Sequence, residues 1–319
     1  MTSRGQLGFA GAFMAAGAGK NRRLDRIGDV VVWEPFERLL KQIRTGETGR
    51  PPYPPLAMFK ALLLQQWYGL SDPALEEALS DRLSFRQFCG FALEQETPDE
   101  TTLLRFRHAL ATDDLADKLL AELNRQLAEH GLILKQGTMV DATVVNAQAA
   151  APGTDSEKAA KSSVDPDADW TRKGGKSFFG YQAHLAVDCG SGLIRKAILA
   201  PARINESSVA DALILGDERA FYADKAYESK ARRAHLKARS IKDRIMHRSH
   251  KNQMRLPYWQ AVRNRLIAPI RSNIERVFGL MKRSYGYRQV RYFNLARNAV
   301  QLQLMCLAIN LRRATILSG

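Results

Sequence analysis

Thr138-Met139-Val140-Asp141-Ala142-Thr143-Val144-Val145 is the stretch that decides the fold. All but one of these residues are apolar or β-branched, and so short a run of that composition reads as a buried strand. The exception is Asp141. A carboxylate inside such a strand carries a desolvation cost unless hydrogen bonds or a cation satisfy it. By alternation it shares a face with Met139, Thr143 and Val145.

Working downstream, Ala147 to Lys176 is polar and reads as an exposed loop. Tyr181–Asp188 and Leu193–Leu199 read as strands, joined into a hairpin by Cys189-Gly190-Ser191-Gly192. Ser207–Leu215 has a helical pattern, and Arg219–Ala223 is a short strand that ends at Asp224. A basic, helix-like stretch follows from Tyr227, and the chain is helical from about Pro257. This order predicts an α/β domain with a mixed sheet flanked by helices. Asp224 is the second anomalous acid, at a strand end, where α/β domains place their chemistry.

Glu275 is the third. It is the only acid from Arg244 to Gly319. Pro269 fits the first position of its helix. Ile270, Ile274, Val277 and Met281 form an apolar stripe, and Arg271, Glu275, Phe278 and Lys282 repeat that spacing one residue on. Glu275 is therefore expected at the margin of the helix contact, where an ion pair with Arg271 is the structural alternative.

Upstream, Trp33 to His130 is helical with clear punctuation. Pro51-Pro52-Tyr53-Pro54-Pro55 leads into a helix with Leu56, Phe59, Leu63 and Trp67 on one face. Asp72 is expected to cap one helix, and Thr97-Pro98-Asp99-Glu100 reads as a capping box for another. A further helix is expected from Thr112 to Gly131. Short helices with tight turns permit helix-turn-helix DNA binding, with Arg105, Arg107 and His108 as candidate contacts. A purely structural bundle is the other reading. Residues 1–30 are expected to form a flexible arm; Leu7 to Ala18 only faintly echoes a signal peptide.

Charge is distributed unevenly. The chain carries 48 Lys and Arg against 33 Asp and Glu, a net +15. Residues 225–319 hold 22 of those bases and three acids, Glu228, Asp243 and Glu275, a balance of +19. Such a surface suits a phosphate backbone. Tyr285, Tyr287, Tyr292 and Phe293 lie among the bases, placed either to stack on nucleobases or to pack the core. The longest apolar run in the body of the chain, near Leu62–Leu64, is far too short to span a membrane. Cys89, Cys189 and Cys306 are widely spaced, without a CxxC pair, and read as small hydrophobes in a reducing compartment.

Three carboxylates in basic surroundings suit metal-dependent phosphoryl transfer. Hard cations take oxygen ligands, and two of them roughly 3.5–4 Å apart can activate the attacking oxygen and stabilise the leaving one.

Four segments then resemble a known family: Thr97-Pro98-Asp99-Glu100-Thr101-Thr102-Leu103-Leu104-Arg105-Phe106-Arg107, Val140-Asp141-Ala142-Thr143, Ala223-Asp224-Lys225-Ala226-Tyr227, and Arg271-x3-Glu275-x6-Lys282. In this order they resemble the IS5-group insertion-sequence transposases of the DDE superfamily, over nearly the whole chain. The family's pattern places a Tyr where this chain has Ala268. The resemblance implies an N-terminal all-helical domain, here residues 31–131, for DNA-end binding or dimerisation. It implies a ribonuclease-H-like catalytic domain over residues 132–319. It implies a transposase that cleaves DNA at element ends and transfers strands into target DNA, with two Mg²⁺ or Mn²⁺ ions held by Asp141, Asp224 and Glu275. Arg271 and Lys282 are expected to contact phosphates near the scissile bond, with Lys225, Arg276, Arg283, Arg105 and Arg107 as further DNA contacts. The implied partners are terminal inverted repeats, target DNA and further copies of the chain, in a dimer or larger assembly. The implied place is the bacterial cytoplasm, on the nucleoid. A ribonuclease-H-like nuclease without joining activity and a non-catalytic DNA-binding derivative are the alternatives.

Overall fold

A computed structural model describes residues 21–43, 52–152, 162–249 and 255–319. Most of the arm expected over residues 1–30 falls outside these, but from Arg22 the chain is helical. The described residues form two compact units. One runs up to Gln126 and also includes Leu311–Gly319; the other is Leu127–Asn310. The boundary near the C-terminus thus falls within a helix, and the last nine residues group with the helical unit.

The helical unit contains α1 (Arg22–Val30), α2 (Glu34–Leu40), α3 (Pro55–Tyr68), α4 (Asp72–Asp81), α5 (Leu83–Cys89), α6 (Glu100–Ala109) and α7, which starts at Leu115 and ends at Glu129. Pro55 opens α3, and Gly69, at φ 66°, closes it in the left-handed conformation. A single apolar face was expected here. Instead Ala57, Met58, Phe59 and every residue from Ala61 to Gln66 are buried, so α3 is a central helix enclosed nearly all round.

Two caps differ from expectation. Ser71, not Asp72, caps α4 by accepting from the Ala74 N–H. Asp99, not Thr97, caps α6: its Oδ1 accepts from the Thr102 N–H at 2.6 Å. Asp99 stands three residues before that N–H, the spacing an N-cap side chain reaches. The Glu100 N–H is taken by Glu76 Oε2 at 2.7 Å, which leaves no capping box to form.

The second unit is built on a six-stranded mixed sheet: β1 (Thr138–Asn146), β2 (Asp169–Lys173), β3 (Lys176–Asp188), β4 (Ile194–Pro201), β5 (Ala220–Ala223) and β6 (Lys242–Ile245). The order is β2-β3-β1-β5-β6, with β4 also paired to β3. β1 runs antiparallel to β3 and parallel to β5, and β5 parallel to β6. The sheet is mixed and flanked by helices, as the resemblance implied. Between the strands lie α8 (Glu206–Val209) and α9 (Lys230–Ala238); α10 (Tyr258–Arg271), α11 (Ile274–Ser284) and α12 (Leu295–Leu317) follow. Val140, Ala186, Phe221 and Ala223 from the strands pack with Leu213, Tyr227, Leu236 and Ile241 into one core cluster. α10 packs against β1 and β5, and α11 against β1.

Two strands were not foreseen. The end of the expected loop is β2, which turns through Gly174 and Gly175, both at positive φ, into β3. Apart from Trp170, whose ring packs on Phe179, its residues are polar because the strand is only half-covered. β6, Lys242-Asp243-Arg244-Ile245, is charged because it lies at the sheet edge, where charge blunts unwanted pairing. The same loop also holds a fully buried acid. Asp165 Oδ1 accepts from the Tyr181 hydroxyl at 2.6 Å.

β3 changes partner at Gly180, pairing with β2 before it and β4 after it. The φ of Gly180 is 154°, and a Cβ there would lie 2.3 Å from the Val145 carbonyl oxygen. Only glycine fits this close approach.

No helix among the described residues is long and apolar enough to cross a membrane. All three cysteines are free, with Cys89 and Cys306 buried and Cys189 half-buried. Tyr285 and Tyr287 are core residues, Tyr292 is half-buried, and Phe293 is exposed.

Candidate active site

β1 and β5 pair in parallel with Thr138 opposite Phe221 and Met139 opposite Tyr222. Continuing that register two residues brings Asp224 level with Asp141, on strands about 4.8 Å apart. Each aspartate is held locally. Asp141 Oδ1 accepts from the Ala142 N–H at 2.9 Å. Asp224 caps the turn after β5, its Oδ1 accepting from the Ala226 N–H at 2.7 Å. The two charges feel each other. Burial pushes the Asp141 carboxyl above the usual aspartate range, the Arg271 guanidinium pulls it back, and Asp224 adds to the rise.

Arg271, the last residue of α10, is the cation at this site. Its Nη2 lies 2.5 Å from Asp141 Oδ2, and its Nη1 lies 3.2 Å from Glu275 Oε1. The Nε of Arg271 is buried and has no hydrogen-bond partner. Glu275 is in the first turn of α11 with 65% of its side chain exposed, so it reaches Asp141 only through Arg271. The i, i+4 pair weighed as a structural alternative is therefore present. Pro269 lies in the last turn of α10, not at the start of the Glu275 helix. Residues 272–273 interrupt the two helices, because α11 begins afresh where Ile274 can be buried.

Among the described residues, no three His, Cys, Asp or Glu side chains lie close enough to hold a metal together. The structure brings Asp141 and Asp224 side by side and leaves Glu275 apart. The donors still fit a hard divalent cation: two carboxylates of like charge stand together, and the more buried one already holds a positive group.

The other candidates are placed as follows. Lys282 is half-buried on α11; burial, then Lys173 and Arg288, hold its pKa below the usual lysine range. Lys225, Arg276 and Arg283 are exposed. In the helical unit, Arg105 is exposed and His108 half-buried. Arg107 cannot serve as a DNA contact in this structure. Its side chain is 1% exposed and pairs with Asp72 at 2.5 Å, with Gln65 Oε1 3.2 Å away.

Sequence reasoning missed a further group. Glu206 opens α8, and burial, then Asp141 and Asp224, raise its pKa against the pull of Lys173, whose Nζ is 3.6 Å away. Arg232 ties α8 to the turn after Asp224, donating to Ser207 O and Tyr227 O, each at 2.5 Å, and to Asp211 Oδ1 at 2.7 Å. Tyr227 is fully buried, and its hydroxyl has no hydrogen-bond partner. Burial, then Glu206, Asp141 and Asp224, push that hydroxyl's pKa up. The faint signal was Asn205-Glu206, a helix cap followed by an acid shortly after a strand.

The arrangement is an acid inside β1, a second acid just past the end of the parallel β5, and one arginine that ties the first to Glu275. Among solved structures, a synaptic complex of piggyBac transposase with hairpin DNA aligns over 92% of this chain and 71% of its own, at 8% identity and a TM-score of 0.43. A pre-cleavage Mos1 transpososome aligns over 90% and 85%, at 11% identity and a TM-score of 0.21. At those scores neither alignment carries an argument. The family matches do. Residues 14–109 match the family described as Transposase domain (DUF772). Residues 133–311, which contain Asp141, Asp224, Arg271 and Glu275, match the one described as Transposase DDE domain. That second match covers more than half of the sequence, and the chain belongs to the DDE transposase family.

Proposed function

We propose that this chain cuts DNA at the ends of a mobile element and joins the freed 3′ hydroxyls to target DNA, with Asp141, Asp224 and Glu275 as the ligands of its metal ions. Divalent-metal dependence follows from family membership; two Mg²⁺ or Mn²⁺ ions are the specific reading. The observation that supports the assignment is the parallel β1–β5 register, whose continuation sets Asp141, inside β1, level with Asp224, just past the end of β5. When bound, divalent ions supply Lewis-acid activation of the attacking oxygen and charge stabilisation at the leaving one.

The chain's own residues do the rest. Asp141 and Asp224 present ionised oxygens. Arg271 neutralises Asp141 in the metal-free chain, and on this reading it leaves Asp141 for a DNA phosphate when the substrate arrives, which frees Glu275 to turn inward. Lys282, Lys225, Arg276 and Arg283 hold phosphates around the reacting bond, and Arg105 adds a contact from the helical unit. Two element ends must be processed together, so the working form is a dimer or larger.

A strand-transfer assay with labelled element ends tests the reading. Asp141→Asn, Asp224→Asn and Glu275→Gln are each expected to abolish cleavage and joining while DNA binding persists. Cleavage without joining would favour the plain nuclease. Full activity in Glu275→Gln would remove that residue from the ligand set.

A further inference from the structure

Immediately after Asp224 the surface opens into a cleft of about 720 Å³. Lys225, Lys230, Arg233 and Arg248 line it, with Glu228 and Ser229. Among the described residues no aromatic ring and no large apolar side chain lines it. Its single acid is already satisfied. Glu228 Oε1 takes Arg233 Nη2 at 3.1 Å, and its Oε2 takes the Arg248 N–H at 2.8 Å. Arg233 is held a second time, by Asp243. These bonds fix the wall. Lys225, Lys230 and Arg248 are exposed and make no ion pair with a described residue. The first turn of α9 also faces this region, capped by Ser229 and free of acids, so its backbone dipole adds to the positive field.

We propose that this cleft is a subsite for the phosphodiester backbone of the DNA strand that runs on from the scissile phosphate. The inference rests on the transposase reading above and adds to it the path of the strand. Three unpaired cations on a fixed wall match a row of phosphates. The described lining meets the strand with charge on phosphate, a grip indifferent to sequence. The position, one residue past Asp224, sets the held phosphates within a few nucleotides of the reacting bond.

The test uses the full chain in EDTA, so that catalysis plays no part. DNA affinity is measured against salt for the wild type and for the Lys230→Ala/Arg248→Ala variant, on element-end and scrambled duplexes. Each lost phosphate contact should lower the slope of log K against log salt by roughly 0.9, so the double variant should lose roughly 1.8, equally on both sequences. An unchanged slope, or a loss confined to the element-end duplex, overturns the subsite. If the variant misfolds, a photo-crosslinking residue in place of Lys230 alone gives a second reading. Crosslinks are expected within a few nucleotides of the cleavage position, and crosslinks elsewhere or none overturn the proposal. Failure of the underlying reading looks different: the wild type then cleaves no DNA with any divalent ion, while the salt slope still reports on the cleft.

Discussion

Replacing Arg271 with Ala should destabilise the metal-free chain and tighten its grip on divalent ions. The Arg271–Asp141 pair is mostly out of water, with side chains 18% and 11% exposed and an N···O distance of 2.5 Å. Removing one partner of a buried pair costs about 3–5 kcal/mol, because the other charge is left alone. The residual exposure of both groups places this pair at the low end, about 3 kcal/mol. For a unit the size of Leu127–Asn310, 1 kcal/mol moves Tm by about 2–4 °C, so a drop of about 6–12 °C is expected.

The effect has a pH signature. Asp141's carboxyl has a folded pKa above its unfolded one, so its contribution to stability is present below the unfolded pKa and lost as pH rises through the folded one. Without Arg271 the folded value climbs further. The gap between wild type and variant should therefore narrow as pH falls and the carboxyl takes up its proton, and should open towards neutrality. Mn²⁺ at a hundredfold excess over the variant's Kd should then stabilise the variant by about 2.7 kcal/mol, and the wild type by less. Thermal melts at pH 4.5 and 7.5, with and without Mn²⁺, read all three effects. A loss below about 1 kcal/mol, or one equal at both pH values, would refute the idea that Arg271 acts as the resident cation. Mn²⁺ affinity unchanged by the substitution would refute the idea that it competes with metal.

Two other substitutions follow from the packing. Arg107→Ala should cost about 3 kcal/mol by taking the guanidinium from Asp72, which keeps its bond from Gln65 Nε2, and on folded protein it should leave DNA affinity untouched; a selective loss of DNA binding in a chain of normal Tm would restore Arg107 as a contact. Gly180→Ala should cost more than about 3 kcal/mol, since its Cβ would meet backbone atoms of Val145 and Ala147 as well as an unfavourable φ, and a normal denaturant midpoint would show that β3 can shift to make room.

What was legible in the sequence depended on whether a signal was local. The strand around Asp141, the hairpin at Cys189–Gly192 and the short strand before Asp224 are each set by composition and turn residues within a few positions, and the sheet contains all three. β6 was missed because an edge strand with Lys242, Asp243 and Arg244 has no apolar run to betray it. β2 was missed because its partner is the extension of β3 beyond Gly180, which no local pattern announces. The caps failed in a narrower way. Thr97 and Asp72 had the right chemistry, but Asp99 and Ser71 stood three residues before the open N–H groups of Thr102 and Ala74, the spacing an N-cap side chain reaches.

At the site, Asp141 and Asp224 could be singled out as misplaced charges, yet their alignment depended on a parallel register that the sequence does not encode locally. Arg107 misled because a basic residue on a short helix looks the same whether it faces solvent or Asp72. Glu206 was invisible because Arg232, far along the chain, is what draws α8 to the turn after Asp224.

The acidic pair itself explains why Arg271 stands where it does. Two ionised carboxylates set level on neighbouring strands repel, and the repulsion grows as they leave water. A fold that sets them level must therefore find a proton or a cation when no metal is bound. Burial already favours the proton at Asp141, and Arg271 opposes it with a permanent charge. The geometry makes that charge removable. Arg271 ends α10, residues 272–273 separate it from α11, and α11 is anchored independently by buried Ile274, Val277, Phe278 and Met281. The guanidinium can leave Asp141 by side-chain rotation, and the Glu275 side chain can turn inward, while α11 keeps its place against the sheet. A lysine at 271 would neutralise Asp141 too, but without a planar fork it could not hold Asp141 and Glu275 with two separate nitrogens. One arginine four residues before the glutamate therefore keeps two like charges together in the metal-free chain and, on this reading, carries positive charge towards phosphate when they are separated by an ion.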